Sequence, residues 1–266
     1  MKEHTLAGQS ILVTGGGTGI GKACAARLVS DGADVTICGR TEASLQAAVD
    51  EINSAGLPGS VQLISGDVTA EDDVRAFVAR ASEPSGSLGA VIANAGGGGM
   101  PMAYGDVDTE EFMRVLNLNV LGTMLCMKHA IPQMLAAGGG SFVGMSSLAG
   151  HITHPYFHAY CAGKAGVEAM MRNAADEYGK DNLRFNAIRP GFIATEIMAG
   201  IPVDSEVYRS YIDNTPMGDV GQPEDVAELA RFLIGPESRW ITGQCINVDG
   251  GHSLRRGPDF SSFVAQ

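Results

Sequence analysis

Positive charge is scarce in this sequence: 18 Lys and Arg stand against 30 Asp and Glu in 266 residues, a formal net charge of −12. Binding a nucleic-acid backbone needs clustered Lys and Arg, so nucleic acid is excluded as an expected partner. A bound nucleotide is not excluded, since it needs positive potential only locally. Cysteine is sparse and scattered, at Cys24, Cys38, Cys126, Cys161 and Cys245, with no CxxC spacing. An odd, dispersed set fits thiols in a reducing compartment better than a disulfide framework. No apolar run approaches the roughly 18 residues of a membrane span. The opening Met1-Lys2-Glu3-His4-Thr5 lacks the apolar core of a signal peptide. A cytoplasmic protein without a membrane partner is therefore expected. Linkers, charge blocks and repeats are also missing, and residues 1–266 read as a single domain.

What is present is alternation. With 45% hydrophobic residues the chain can bury a sizeable core. Short apolar runs at 10–13, 35–38, 61–64, 90–93, 141–145, 184–188 and 245–248 read as strands. Amphipathic stretches near 19–31, 41–55, 70–81, 109–137, 158–178 and 223–235 read as helices. The last is well marked. Pro223 suits a first turn, Val226, Leu229, Ala230 and Leu233 follow helical spacing, and Gly235-Pro236 ends it. Seven strands with helical crossovers predict a doubly wound α/β fold of Rossmann type, a seven-stranded parallel sheet flanked by helices. Such sheets bind ligands beyond the carboxyl ends of their strands.

At the first such end stands Thr14-Gly15-Gly16-Gly17-Thr18-Gly19-Ile20-Gly21, between a strand and a helix. Glycines let the backbone turn sharply and approach a pyrophosphate, and a helix N-terminus offers N–H groups and positive dipole. A bare glycine turn would look similar, but the place at the first strand-to-helix junction favours a phosphate loop. At the second strand end, a carboxylate would hold a ribose 2′-hydroxyl and a basic residue a 2′-phosphate. The sequence there is Val35-Thr36-Ile37-Cys38-Gly39-Arg40, followed by Thr41. Arg40 and Thr41 point to NADP over NAD.

The most telling pair is Tyr160 and Lys164, four residues apart and so on one helix face. A phenol with a reference pKa of about 10 is a poor acid or base at neutral pH. An ammonium beside it is expected to favour the phenolate and bring the pKa toward the working range, as proton exchange with an alcohol or ketone oxygen requires. Ser147 follows an apolar run thirteen residues upstream. Its neighbour Ser146 cannot face the same site, because strand-end side chains alternate.

Together these features resemble the short-chain dehydrogenase/reductase family over almost the whole chain. The glycine loop is similar to that family's TGxxxGxG, and Asn94-Ala95-Gly96 to its NAG motif. Asn119, Ser147, Tyr160 and Lys164 match its catalytic tetrad, and Pro190-Gly191 with Thr195 resembles its nicotinamide loop. The segment from Thr242-Gly243-Gln244 to Val248-Asp249-Gly250-Gly251 is also typical. The resemblance implies an oxidoreductase interconverting a secondary alcohol and a ketone by hydride transfer to or from NAD(P). By it, Tyr160 is the general acid/base, Lys164 lowers its pKa and binds the nicotinamide ribose, Ser147 orients the substrate oxygen, and Asn119 helps hold a water. Gly15, Gly17, Thr18, Gly19, Ile20 and Gly21 would cradle phosphate. Asp67 and Val68 would meet the adenine, and Ile193 the carboxamide. A homotetramer packed through the helix of Tyr160 is usual in that family. The small residues Ala162, Gly163, Ala165, Gly166 and Ala169 agree with it.

Two other readings stand beside this one. A nucleotide sensor on the same scaffold commonly loses tetrad residues, and all four are here. Enoyl reductases of the family use a wider Tyr-to-Lys spacing, and no Tyr precedes Lys164 by seven residues. His151, His154 and His158 cluster, but Pro155 interrupts the helical spacing and no carboxylate or cysteine completes a ligand set, so no metal is expected. The four glycines 96–99 read as a flexible loop. Residues 195–222 are expected to cover the substrate, with a tail at 252–266. The covering loop carries Ile197, Met198, Ile201, Val203, Tyr208, Tyr211, Ile212 and Met217 and little basic charge beyond Arg209. An apolar alcohol or carbonyl substrate, larger than a short-chain ketone, is expected. The same residues could instead dock the loop onto the body.

Overall fold

The computed structural model describes residues 6–196, 198–255 and 260–264. Seven strands form one parallel sheet: β1 (Ser10–Thr14), β2 (Asp34–Gly39), β3 (Ser60–Ser65), β4 (Ala90–Ala93), β5 (Gly140–Met145), β6 (Leu183–Pro190) and β7 (Cys245–Val248). Their order is β3-β2-β1-β4-β5-β6-β7. The order reverses between β1 and β4, which opens a crevice beyond their carboxyl ends. Ile11, Leu12, Val13, Val91 and Ile92 are fully buried, as central parallel strands covered on both faces must be.

Among the described residues the α-helices are α1 (Gly19–Ser30), α2 (Glu42–Ser54), α3 (Glu71–Ser82), α4 (Thr109–Leu116), α5 (Gly122–Ala136), α6 (His158–Tyr178), α7 (Glu206–Asn214) and α8 (Pro223–Ile234). One face is packed by Leu28, Val29, Leu45, Val226 and Leu233, the other by Phe77, Met134, Phe142, Met171 and Phe185. All five cysteines are unpaired, and three of them are buried. Among the described residues no helix is long and apolar enough to cross a membrane.

Two expectations are refined. The helix expected over 109–137 forms without interruption, but it widens into a π-helical turn, Asn117–Leu121, between α4 and α5. Asn119 sits in that turn. Its Nδ2 donates to Val115 O at 2.8 Å, and Thr123 Oγ1 donates to the Asn119 carbonyl at 2.8 Å, so side chains serve carbonyls in and beside the wider turn. The covering segment is also more ordered than a loop. It contains α7, whose N-cap Ser205 accepts a hydrogen bond from the Tyr208 amide at 3.1 Å.

Candidate active site

Two adjoining cavities fill the crevice. The inner one, of about 990 Å³, is walled in part by Ser147, Tyr160, Lys164, Pro190, Gly191 and Ile193. The outer one, of about 830 Å³, is walled in part by Gly17, Arg40, Thr41, Asp67 and Val68. They share Gly15, Thr18, Ala95 and Gly96, so together they form one continuous cleft. Gly19, Ile20, Asn94 and Thr195 line the inner part, leaving Gly21 and Asn119 as the expected site residues set back from the surface. Gly21 is required by packing, since a Cβ there would lie 2.1 Å from Gly15 O.

The cleft suits a dinucleotide. Thr18 caps α1 without using its side chain, and the first turn of that helix carries no acidic residue. An anion can therefore approach the helix N-terminus unopposed from the helix itself. In the outer cavity Arg40 is exposed and, among the described residues, has no ion pair. Thr41 caps α2 with its hydroxyl unspent on capping, and Ser44, one turn on, adds another hydroxyl. A guanidinium and two hydroxyls at the end of β2 make a suitable 2′-phosphate site. Asp67 lines the same cavity, but its Oδ1 is taken by the Thr69 amide at 2.9 Å and the Thr69 hydroxyl at 2.8 Å. Asn94 works mainly as a tie: its Nδ2 donates to Thr14 O at 3.0 Å and Gly15 O at 3.2 Å, holding β4 to the glycine turn.

Around the expected reaction centre, Tyr160 and Lys164 share the cleft-facing side of α6. Lys164 Nζ lies 5.6 Å from the Tyr160 ring centroid and donates to Met145 O at 2.7 Å. Burial brings the Lys164 ammonium down to about 8. Tyr160 departs from expectation. Burial raises its phenol above the usual range, and the hydrogen bond with Ser147 only partly opposes this. With desolvation the largest influence, the phenol keeps its proton at neutral pH. That is the state a proton donor needs.

Ser147, two residues past β5, lines the cleft, its Oγ accepting from the Ala149 amide at 3.2 Å. Ser146 turns inward, donating to Lys164 O at 3.1 Å and Glu168 Oε1 at 2.9 Å. The expected alternation is thus seen atom by atom. Asn119 does more than the resemblance implies. Its Nδ2 donates to Gly97 O at 2.8 Å and its Oδ1 accepts from Gly97 N at 3.3 Å, so the run 96–99 is held at Gly97. A Cβ at Gly96 would come within 2.6 Å of Asn119 Oδ1 and 2.9 Å of Lys164 Nζ.

The apolar residues of 195–222 divide between two jobs. Val207 and Tyr211 are buried against Phe192 and Phe260, which docks the segment onto the body. Met198 reaches the inner cavity. Val203 and Met217 are exposed, and Ile197 lies outside the described residues. Sequence reasoning passed over Ser44 and Glu196, which also line the cleft. Each directly follows or closely neighbours a singled-out residue, which was the only signal available. Among the described residues no three His, Cys, Asp or Glu side chains converge on a metal position.

Comparison with known proteins agrees with this geometry. A family model described as enoyl-(acyl carrier protein) reductase matches residues 15–253. A short-chain dehydrogenase/reductase of Armillaria gallica is 38% identical over 92% of this chain and 95% of its own length. The chain belongs to the short-chain dehydrogenase/reductase family. The solved structure of a short-chain type dehydrogenase/reductase from Mycobacterium ulcerans is 43% identical, with a TM-score of 0.94 over 97% of this chain and 94% of that one. A 7α-hydroxysteroid dehydrogenase, solved with NADH and 7-oxo glycochenodeoxycholic acid, is 31% identical, with a TM-score of 0.88 over 94% and 96% of the two chains. This family member is an oxidoreductase.

Proposed function

We propose that this protein interconverts an apolar, ring-borne secondary alcohol and its ketone, using NADP in preference to NAD. The observation that carries the reading is the meeting of Ser147, Tyr160 and Lys164 in one cleft with the phosphate turn. The nicotinamide, when bound, supplies or accepts the hydride. The chain's own residues do the rest. Ser147 Oγ holds the substrate oxygen, Tyr160 Oη passes it a proton during reduction, and Lys164 bears positive charge close by at neutral pH. In the oxidation direction Tyr160 receives that proton. Asn119 fixes the glycine run that walls the site. The NADP preference rests on Arg40, Thr41 and Ser44 and on the lack of a carboxylate at the end of β2. The substrate class rests on Met198, Met145 and Ile193 in the inner wall and on the ring ketone held by the hydroxysteroid relative.

A screen of ring ketones and alcohols with both cofactors, read at the nicotinamide absorbance, tests this. Turnover rising with apolar bulk and faster with NADPH is expected, and a preference for NADH would remove the Arg40 argument. An enoyl thioester belongs in the screen because of the family-model description; Phe157, seven residues before Lys164, has no hydroxyl to serve that chemistry. Cofactor binding without any turnover would favour a sensor.

As one dinucleotide-binding and catalytic domain, the chain would act as a cytoplasmic homotetramer. Ala162, Ala165 and Ala169 lie exposed on one side of α6, where a second helix can pack closely. Light scattering at micromolar concentration should show a tetramer, and a monomeric mass would refute it.

A further inference from the structure

Behind the catalytic groups lies a charge pair that the reaction itself does not touch. Glu168, one turn beyond Lys164 on α6, is bound by Arg189 from the end of β6 through two hydrogen bonds, at 2.6 Å from Nε and 2.5 Å from Nη2. The two side chains are 5% and 13% exposed. Arg172 approaches the same carboxylate from the solvent side at 3.7 Å, and Cys245 lies close enough for its thiol to feel the charge. A buried ion pair is a weak source of stability, because desolvation costs about as much as attraction returns. Its location suggests another use.

Glu168 Oε1 also accepts the Ser146 hydroxyl, at 2.9 Å, and Ser146 reaches the Lys164 carbonyl at 3.1 Å. The seam is tight: a Cβ on Gly150 would lie 2.9 Å from both the Lys164 carbonyl carbon and Ser146 Oγ. Three chain segments thus meet at one carboxylate. The first presents Ser147, the second Lys164 and Tyr160, and the third continues from Arg189 into Pro190-Gly191.

Resting on the function proposed above, we infer that the Glu168–Arg189 pair is a positioning device: through Ser146 it locks β5 against α6 so that Ser147 faces Tyr160. Holding Ser146 inward forces its neighbour outward, because adjacent strand-end side chains take opposite faces. The pair acts through these neighbours and does not contact the reacting atoms.

The test uses Ser146→Ala, Glu168→Gln and the double variant Glu168→Met/Arg189→Met, which replaces the whole pair with apolar groups and leaves no charge stranded. A catalytic group displaced by about 1 Å can cost about a hundredfold in rate, so a loosened Ser147 should lower kcat about tenfold or more with the ketone KM nearly unchanged. The double variant should recover thermal stability but not kcat. A readout independent of substrate is hydrogen exchange on the cofactor-free protein. Peptides covering 145–150 should exchange faster in all three variants, while those covering β1 stay as in the wild type. If Ser146→Ala and Glu168→Gln kept kcat within about twofold of wild type, or the double variant regained rate and stability together, the inference would be overturned. Should the wild type turn over no alcohol or ketone, hydrogen exchange alone decides: unchanged exchange at 145–150 overturns the positioning role, and faster exchange upholds it.

Discussion

Replacing Lys164 with Met should make the cofactor-free protein more sensitive to its own chemistry than to its packing. Met keeps the length of the side chain and discards the charge. Burial brings the Lys164 ammonium from an ordinary 10.5 to about 8. At about 1.4 kcal/mol per pKa unit this difference is worth about 3 kcal/mol. The group is almost fully buried, so solvent screening removes little of it. Below pH 8 both folded and unfolded chains carry the ammonium, and the folded state bears the full cost. Between about 8 and 10.5 the folded chain sheds the proton while the unfolded chain keeps it, so stability rises with pH. Above 10.5 both are neutral and the gain is complete. The variant lacks this group, so the stability difference between variant and wild type should shift by about 3 kcal/mol between pH 7 and pH 11, in favour of the wild type at high pH. In a domain of this size that is roughly 10 °C in Tm. Constant differences in packing, and the loss of the bond to Met145 O, offset the curve without bending it. Urea titrations of both proteins across this range measure the effect. A difference flat with pH would show that Lys164 titrates as an ordinary lysine and that its site is wet.

Three further substitutions separate the parts of the site. Tyr160→Phe removes only the proton donor and should lower kcat by about a thousandfold while NADPH binding, followed by fluorescence, stays close to wild type; near-normal turnover would reject Tyr160 as the acid. Arg40→Ala should weaken NADPH binding by about 2 kcal/mol and NADH binding hardly at all, since only the former brings a 2′-phosphate to the guanidinium; equal losses in a binding titration would take Arg40 out of the specificity argument. Gly96→Ala drives a methyl into Asn119 Oδ1 and Lys164 Nζ, and should cut kcat about a hundredfold in a protein with native circular dichroism; unchanged kinetics would mean the glycine run yields without disturbing Lys164.

Much of the fold was legible because each central strand is a short unbroken apolar run bounded by turn residues, which only burial on both faces explains. The structure lengthens β2, β3 and β6 by a residue or two at their ends, where hydrogen bonding continues past the last apolar side chain. The π-helical turn Asn117–Leu121 was not legible, since a single wider turn barely disturbs an apolar pattern over 109–137. Helix α7 was missed for a different reason. Tyr208, Tyr211 and Ile212 read equally as a lining or as docking residues of a loop, although Ser205, a good N-cap, stands before Glu206.

The site shows where local spacing stops being informative. Tyr160 and Lys164 declare themselves because both sit on one helix, and Ser146 and Ser147 can be told apart by alternation alone. Glu168 and Arg189 are 21 residues apart on different elements, and nothing in either neighbourhood announces the other. The same limit explains the phenol. Spacing reports which charge lies near Tyr160, but its pKa is set mainly by lost water, and burial depends on residues that other segments bring up, among them Phe157 and Ser147. Tyr160 should therefore titrate above the ordinary tyrosine range in an ultraviolet pH titration of wild type against Tyr160→Phe. A difference spectrum appearing at or below pH 9, about a unit under a free phenol, would restore the ammonium as the dominant influence and reverse the expected direction.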